Sequence, residues 1–254
     1  MPTDTLIVER HGQVALITLN RPQARNALNA ELSAAFCEAV AAAQDARCIV
    51  VTGADPAFCA GLDLRELGAE RLGEFPRYDK AIEASDVPLI AAVNGPAVTG
   101  GFEIALGCDF IVASERAAFA DTHVRVGVYP GPVLVDLPRR VGMARAREMS
   151  MTGNFLDAQT ALRIGLVNHL KRHEDLLPFA LDLAQAIADV DPRMIRAMRA
   201  DWNASMGPPI EAARAIHARH AAESGFDQRR AGDIAGRRDA VMARSRAQRG
   251  AGQT

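Results

Sequence analysis

Much is missing from this sequence, and each gap closes off a class of function. None of its four cysteines, Cys37, Cys48, Cys59 and Cys108, stands in a C-x-x-C pair or beside a cluster of histidines. That excludes the common zinc and dithiol signatures and leads us to expect reduced thiols in a cytoplasmic chain. No G-x-x-x-x-G-K-[ST] loop, no G-x-G-x-x-G after a strand and no G-x-S-x-G elbow occurs, so the usual nucleotide-binding and serine-hydrolase signatures are absent. The longest weakly charged run, Val87 to Ala113, is broken by Pro88, Asn94, Pro96, Glu103 and Asp109, and no membrane span is expected there. The opening "MPTDTLIVERHG" lacks a basic segment followed by an apolar one, so no secretory signal is read into it. A net charge of −2 offers no bulk attraction to nucleic acid or anionic membranes.

What is present is the grammar of an α/β chain. "LIVERHGQVALITLN" reads as two strands turning at His11-Gly12. The run "NALNAELSAAFCEAVAAAQ" places apolar residues at helical spacing, with a start near Asn29, and "CIVVTG" follows as a short buried strand. Strand, helix, strand is the signature of a mostly parallel sheet. The pattern recurs in "PLIAAVNG", "GGFEIALGC", "DFIVAS" and "AAFAD". Two later helices are expected to close at Gly153 and Gly165. From Leu176 onward the chain reads as Ala- and Arg-rich helix. We divide it into a core over 1–170 and a helical region over 171–254, with no linker or repeat between them.

The segment "NGPAVTGGFEIALGCDF", Asn94 to Phe110, concentrates small residues just before a helix. The first N–H groups of a helix have no intrahelical partners and point outward at the positive end of its dipole. Glycines at 100 and 101 let an oxygen approach them, which suits an oxyanion. Glu103 stands one turn on, where a carboxylate either complements the dipole or exchanges a proton with the ligand. A second strand-to-loop segment, "TGADPAFCAGLDL", ends in the small turn Ala60-Gly61. Two such turns at the carboxyl edge of a parallel sheet bring two N–H donors together.

In this order and spacing, "NRPQARNALN", "AFCAGLDL" and "NGPAVTGGFEIALGCDFIVAS" resemble the crotonase (enoyl-CoA hydratase/isomerase) superfamily over roughly Leu6 to Leu170. The resemblance implies an α/β crotonase fold, a ββα superhelix followed by a helical trimerisation region. It implies that the N–H groups of Ala60 and Gly100 form an oxyanion hole for a thioester carbonyl. It further implies that Ala24, Arg25, Ala27 and Leu28, with Gly61, Leu62, Asp63 and Gly131, line the coenzyme A and substrate path. The implied substrate is an acyl-CoA of the kind used in fatty acid β-oxidation. Neither a metal nor another cofactor is implied, because the thioester supplies its own activation, and a homotrimer or homohexamer is the implied assembly.

The sequence departs from the family at one catalytic position. Well-studied hydratases carry a second glutamate in a segment read F-x-x-P-E-x-x-x-G, whereas this chain reads "FADTHVRVG" and places His123 there. Imidazole titrates near neutrality and can act as base or acid, so Glu103 with His123 could hydrate a 2-enoyl-CoA. A single group suffices for a Δ3,Δ2-enoyl-CoA isomerase, and an inert His123 fits a non-catalytic acyl-CoA-binding or RNA-binding relative. Asp121, two residues earlier, is expected to share a strand face with His123 and orient it. Cys59 reads as a packed thiol and the arginines 229, 230, 237, 238 and 244 as a solvated helix face.

Overall fold

The hairpin at His11-Gly12 opens the fold: β1 (Leu6–His11) runs antiparallel to β2 (Val14–Leu19), with Leu6 opposite Leu19. The computed structural model describes residues 5–63, 65 and 76–224. The next helix begins where the sequence places it. Asn29 caps α1 (Ala30–Ala42), its side chain accepting from the Leu32 N–H at 2.9 Å. The chain returns through β3 (Cys48–Gly53), every residue of which is buried.

A short helix, α2 (Tyr78–Glu83), leads to β4 (Leu89–Val93). Between β4 and the glycine-rich helix lies an element that periodicity did not expose, the two-residue strand β5 (Ala97–Val98). Then come α3 (Gly100–Gly107), β6 (Phe110–Ser114) and β7 (Ala118–Ala120). They are followed by the one-turn helix α4 (His123–Val126), α5 (Val133–Val141) and α6 (Met143–Thr152). β8 (Leu156–Asp157), α7 (Ala158–Arg163), β9 (His169–Lys171) and α8 (His173–Ala188) complete this unit. Gly153 and Gly165 follow α6 and α7 with positive φ, as the sequence anticipated.

Strands β1-β2-β3-β4-β6-β9 form a six-stranded sheet in that order, parallel except for β1. In a second sheet, β5-β7-β8, β5 leads into the glycine-rich turn and β7 pairs with it in parallel. Strands β2, β3, β4 and β6 are covered on both faces, as parallel strands require, while β1 at the edge is largely exposed. Ala15, Ile17, Ile49, Val51, Leu89 and Ala91 point into the larger core with Leu32 and Phe36 of α1. Their neighbours Val14, Leu16, Cys48, Val50, Ile90 and Ala92 face Leu176, Ala180, Ala184 and Ala188 of α8. The alanine spacing on α8 lets that helix lie close against the strands.

Because α8 belongs to this packing, the first compact unit extends to Pro192, beyond the division at residue 170 read from the sequence. The second unit begins at Arg193. Nearly all of α9 (Pro192–Ser205) and the whole of α10 (Ile210–Ser224) lie in it. A groove of about 410 Å³ there is lined by Met198, Trp202, Ile210 and Ala213 among others. The arginines 229, 230, 237, 238 and 244 fall outside the described residues. Among the described residues no helix is long and apolar enough to cross a membrane.

Candidate active site

The start of α3 is built to leave its amides open. Thr99 precedes it with φ 44° and makes no side-chain cap, while its own N–H donates to the Ala120 carbonyl at 2.9 Å. The N–H of Gly100, first in the helix, therefore has no partner among the described residues. Gly101 is glycine because backbone crosses there: a Cβ would stand 2.3 Å from the Cys59 carbonyl oxygen.

The same crossing brings in the second loop. Val98 N–H donates to the Cys59 carbonyl at 2.9 Å, and Cys59 N–H donates to the Pro96 carbonyl at 3.1 Å. Gly61 adopts φ +89°, and a Cβ on it would fall 1.9 Å from Thr99 Oγ1. Loop 59–62 thus lies directly on the turn before α3.

One expected donor is occupied. The Ala60 N–H donates to the Arg25 carbonyl at 3.0 Å, so it is not available to a ligand. The reason is a short parallel bridge between Leu28 and Leu62. Leu28 N–H donates to the Gly61 carbonyl at 2.7 Å, and Asp63 N–H donates to the Leu28 carbonyl at 2.8 Å. In such a ladder the amide between those two bonds points away, and Leu62 N–H has no partner among the described residues. Leu62, not Ala60, carries the open amide of this loop.

The bridge also joins the two segments implicated in ligand binding. Leu28 meets Gly61, Leu62 and Asp63 along it, and Arg25 meets Ala60 beside it. The Arg21 guanidinium reinforces it, lying 3.2 Å from Asp63 Oδ2 and donating also to the Ala27 carbonyl. Leu28 contributes backbone only, since its side chain is wholly buried, 3.1 Å from where a Cβ on Gly100 would stand.

Beneath the loop sits a residue that no role was read into. Asn26, at φ 56°, accepts from Arg21 N–H at 2.9 Å. It donates to the Ala54 and Ala57 carbonyls at 2.8 and 2.7 Å. Asn94 supports the same loop, donating to Asp55 at 2.8 Å. Asn26 stood inside the quoted "NRPQARNALN", yet only the fold reveals which carbonyls need it.

Glu103 is buried, one turn into α3. Its Oε2 accepts from the Tyr78 phenol at 2.6 Å and its Oε1 from the Val133 N–H at 3.3 Å. A Cβ on Gly131 would stand 2.9 Å from Oε1, so Gly131 lies against the carboxylate. Burial pushes the Glu103 carboxyl above its ordinary range, against the opposing pull of the Tyr78 hydrogen bond, the His123 charge and the Val133 amide.

His123 is buried as well, and its Nδ1 lies 2.6 Å from Asp121 Oδ1. The pairing was anticipated but its cause was not. β7 ends at Ala120 and His123 opens α4, so a turn joins the two residues where strand alternation was expected. Burial disfavours the imidazolium, but the Asp121 hydrogen bond and the Glu103 charge outweigh it and hold His123 above its usual value. Burial likewise opposes the Asp121 anion, yet hydrogen bonds from His123 and Ser150 keep it below the carboxylate range.

Cys59 is fully buried, and burial pushes its thiol up to about 12, which leaves it protonated and unreactive. Among the described residues no three His, Cys, Asp or Glu side chains converge so as to hold a metal ion. Tyr78 escaped the sequence reading altogether, since it stands 25 residues before Glu103 in no motif.

Residues 9–234 match a family model described as enoyl-CoA hydratase/isomerase. The chain is 43% identical over 198 residues to a probable enoyl-CoA hydratase of Rhizobium meliloti (strain 1021), covering 74% of this chain and 77% of that one. It is 35% identical over 230 residues to a crotonyl-CoA hydratase of Syntrophomonas wolfei, covering 86% and 88%. A crystal structure of an enoyl-CoA hydratase from Mycobacterium tuberculosis H37Rv superposes with a TM-score of 0.74 at 42% identity, covering 89% of this chain and 100% of that one.

Proposed function

Given that the chain belongs to the enoyl-CoA hydratase/isomerase family, as an enzyme with the α/β crotonase fold and a helical C-terminal region, we propose that it adds water to a 2-enoyl-CoA to give a 3-hydroxyacyl-CoA, with Glu103 and His123 as the proton-transfer pair. The observation that carries this reading is the presence of two buried titratable groups, Glu103 and His123, each within range of the other's charge, by a helix whose first amide is open.

The thioester carbonyl oxygen accepts from the N–H groups of Gly100 and Leu62, which stabilise the negative charge that develops on it. Glu103, as carboxylate, takes a proton from water while the water oxygen bonds to the β-carbon and the C=C pair moves toward the carbonyl. The enolate then takes a proton at the α-carbon from the His123 imidazolium, which Asp121 orients and keeps charged. Glu103 gives up its proton and His123 regains one, restoring both groups. Ala24, Arg25, Ala27, Asp63 and Gly131 belong to the coenzyme A and acyl path in this reading. A homotrimer or homohexamer in the cytoplasm completes it, and the exposed Trp202, Met206 and Ile210 of the second unit support such an assembly.

Crotonyl-CoA hydration, followed by loss of the conjugated absorbance, tests the proposal with Glu103→Gln and His123→Ala alongside. Turnover abolished by both changes supports it. Reaction with a 3-enoyl-CoA alone would replace it by the isomerase, and tight CoA-ester binding without turnover by a non-catalytic relative. Sedimentation equilibrium decides the assembly.

A further inference from the structure

The two oxygens of Glu103 keep different company. Oε2 faces the Tyr78 phenol at 2.6 Å, a length typical of a charge-assisted O–H···O⁻ bond. Oε1 has only the longer bond from Val133 N–H, and the space a Cβ at Gly131 would fill lies 2.9 Å from it. Tyr78 opens α2 and packs against the main core, so its ring is fixed from outside α3. Its hydroxyl also comes within 2.9 Å of where a Cβ on Gly100 would stand, which sets it beside the open amide as well. Burial and the Glu103 charge push the phenol up, so Tyr78 stays protonated and its hydrogen is the one shared with the carboxylate.

We propose that Tyr78 is the positioning residue of the Glu103 carboxylate. By occupying Oε2 it keeps the group anionic and leaves Oε1, beside Gly131, as the oxygen that meets water or substrate. This rests on the reading of Glu103 as the proton-transfer group. A ring that merely filled space would be served equally well by phenylalanine.

The test is a titration of the free protein, which requires no reaction. With ¹³C-labelled glutamate, the Glu103 carboxyl signal is assigned by its loss in Glu103→Gln and followed against pH. Tyr78→Phe is expected to raise the Glu103 midpoint by about one unit, since a hydrogen bond to the anion is removed. The chain has two tyrosines, and Tyr129 is 87% exposed. 3-Fluorotyrosine incorporated into a Tyr129→Phe background therefore strengthens the donor at position 78 alone and is expected to move the midpoint down. That protein keeps the phenol and so gives an answer even if Tyr78→Phe does not fold. A midpoint unmoved by either change overturns the proposal. In turnover, the acid limb of kcat/KM should rise with the midpoint and kcat fall about tenfold while KM holds. Absence of any enoyl-CoA turnover in the unmodified protein would sink the hydratase reading, and the titration would still decide the role of Tyr78.

Discussion

His123 Nδ1 lies 2.6 Å from Asp121 Oδ1, with both side chains buried, so the imidazole has a fixed orientation and its charged form a built-in counterion. Asp121→Asn keeps the shape and removes the charge. The His123 midpoint should fall by about one to two units, and the alkaline limb of the rate profile should move down with it. Histidine NMR titration and a kcat/KM profile check both shifts. A profile identical to that of the unmodified enzyme would remove Asp121 from the mechanism.

The pH dependence of the unmodified enzyme follows from the same groups. Glu103 must be ionised to act as base, and its midpoint is raised, so the acid limb should lie above 4.5. His123 must be protonated to act as acid, and its midpoint is also raised, so the alkaline limb should lie above 6.5. His123→Gln should lose the alkaline limb and lower kcat about 10²-fold or more. An alkaline limb that survives this change belongs to another group.

The two loop amides should differ in kind. Replacing the amide of Leu62 by an ester removes its N–H, which has no partner among the described residues, and weakens the Gly61 carbonyl as acceptor of the 2.7 Å bond from Leu28 N–H; kcat should fall about 10²–10³-fold, with a stability loss smaller than the change at Ala60 brings. The same change at Ala60 removes the bond to the Arg25 carbonyl, 3.0 Å long, and should lower stability by about 1 kcal/mol with the smaller effect on turnover. Semisynthetic proteins compared by steady-state kinetics and thermal melting separate the two. The reverse ranking would return Ala60 to the oxyanion site.

Asn26→Ala should be among the most costly single changes in the loop region. It strands the buried Ala57 carbonyl and the half-buried Ala54 carbonyl and Arg21 amide, for a loss of about 3 kcal/mol. Denaturant unfolding reads this directly. A loss below about 1 kcal/mol would show that water or a relaxed loop replaces the side chain.

Much of the fold is legible in particular stretches. The all-apolar "CIVV" and "LIAAV" are strands buried on both faces, and Asn29 followed by helical spacing marks the start of α1. Glu103 is legible too, because glycines before a helix and a carboxylate one turn on are local features. β5 was not legible, since two residues have no measurable period and their pairing with β7 exists only once the chain has folded back. Helix from Leu176 onward is legible, but the end of α8 at Ala188 and its membership of the core are not, because they depend on the sheet face it covers.

The sequence by itself determined strands β1 to β4, β6 and β7 with helices α1 and α3 between them, the open start of α3 and the candidacy of Glu103 and His123, all of which rest on residues close together in the chain. Tertiary structure alone decided which amide of the 59–62 loop is open, since the bridge to Leu28 reverses the roles of Ala60 and Leu62. It alone brought Tyr78 to Glu103 and Asn26 under its loop. Such contacts join segments about 25 to 35 residues apart, and hydrogen-bond partners at that range are chosen by how the sheet and helices pack, not by local preference.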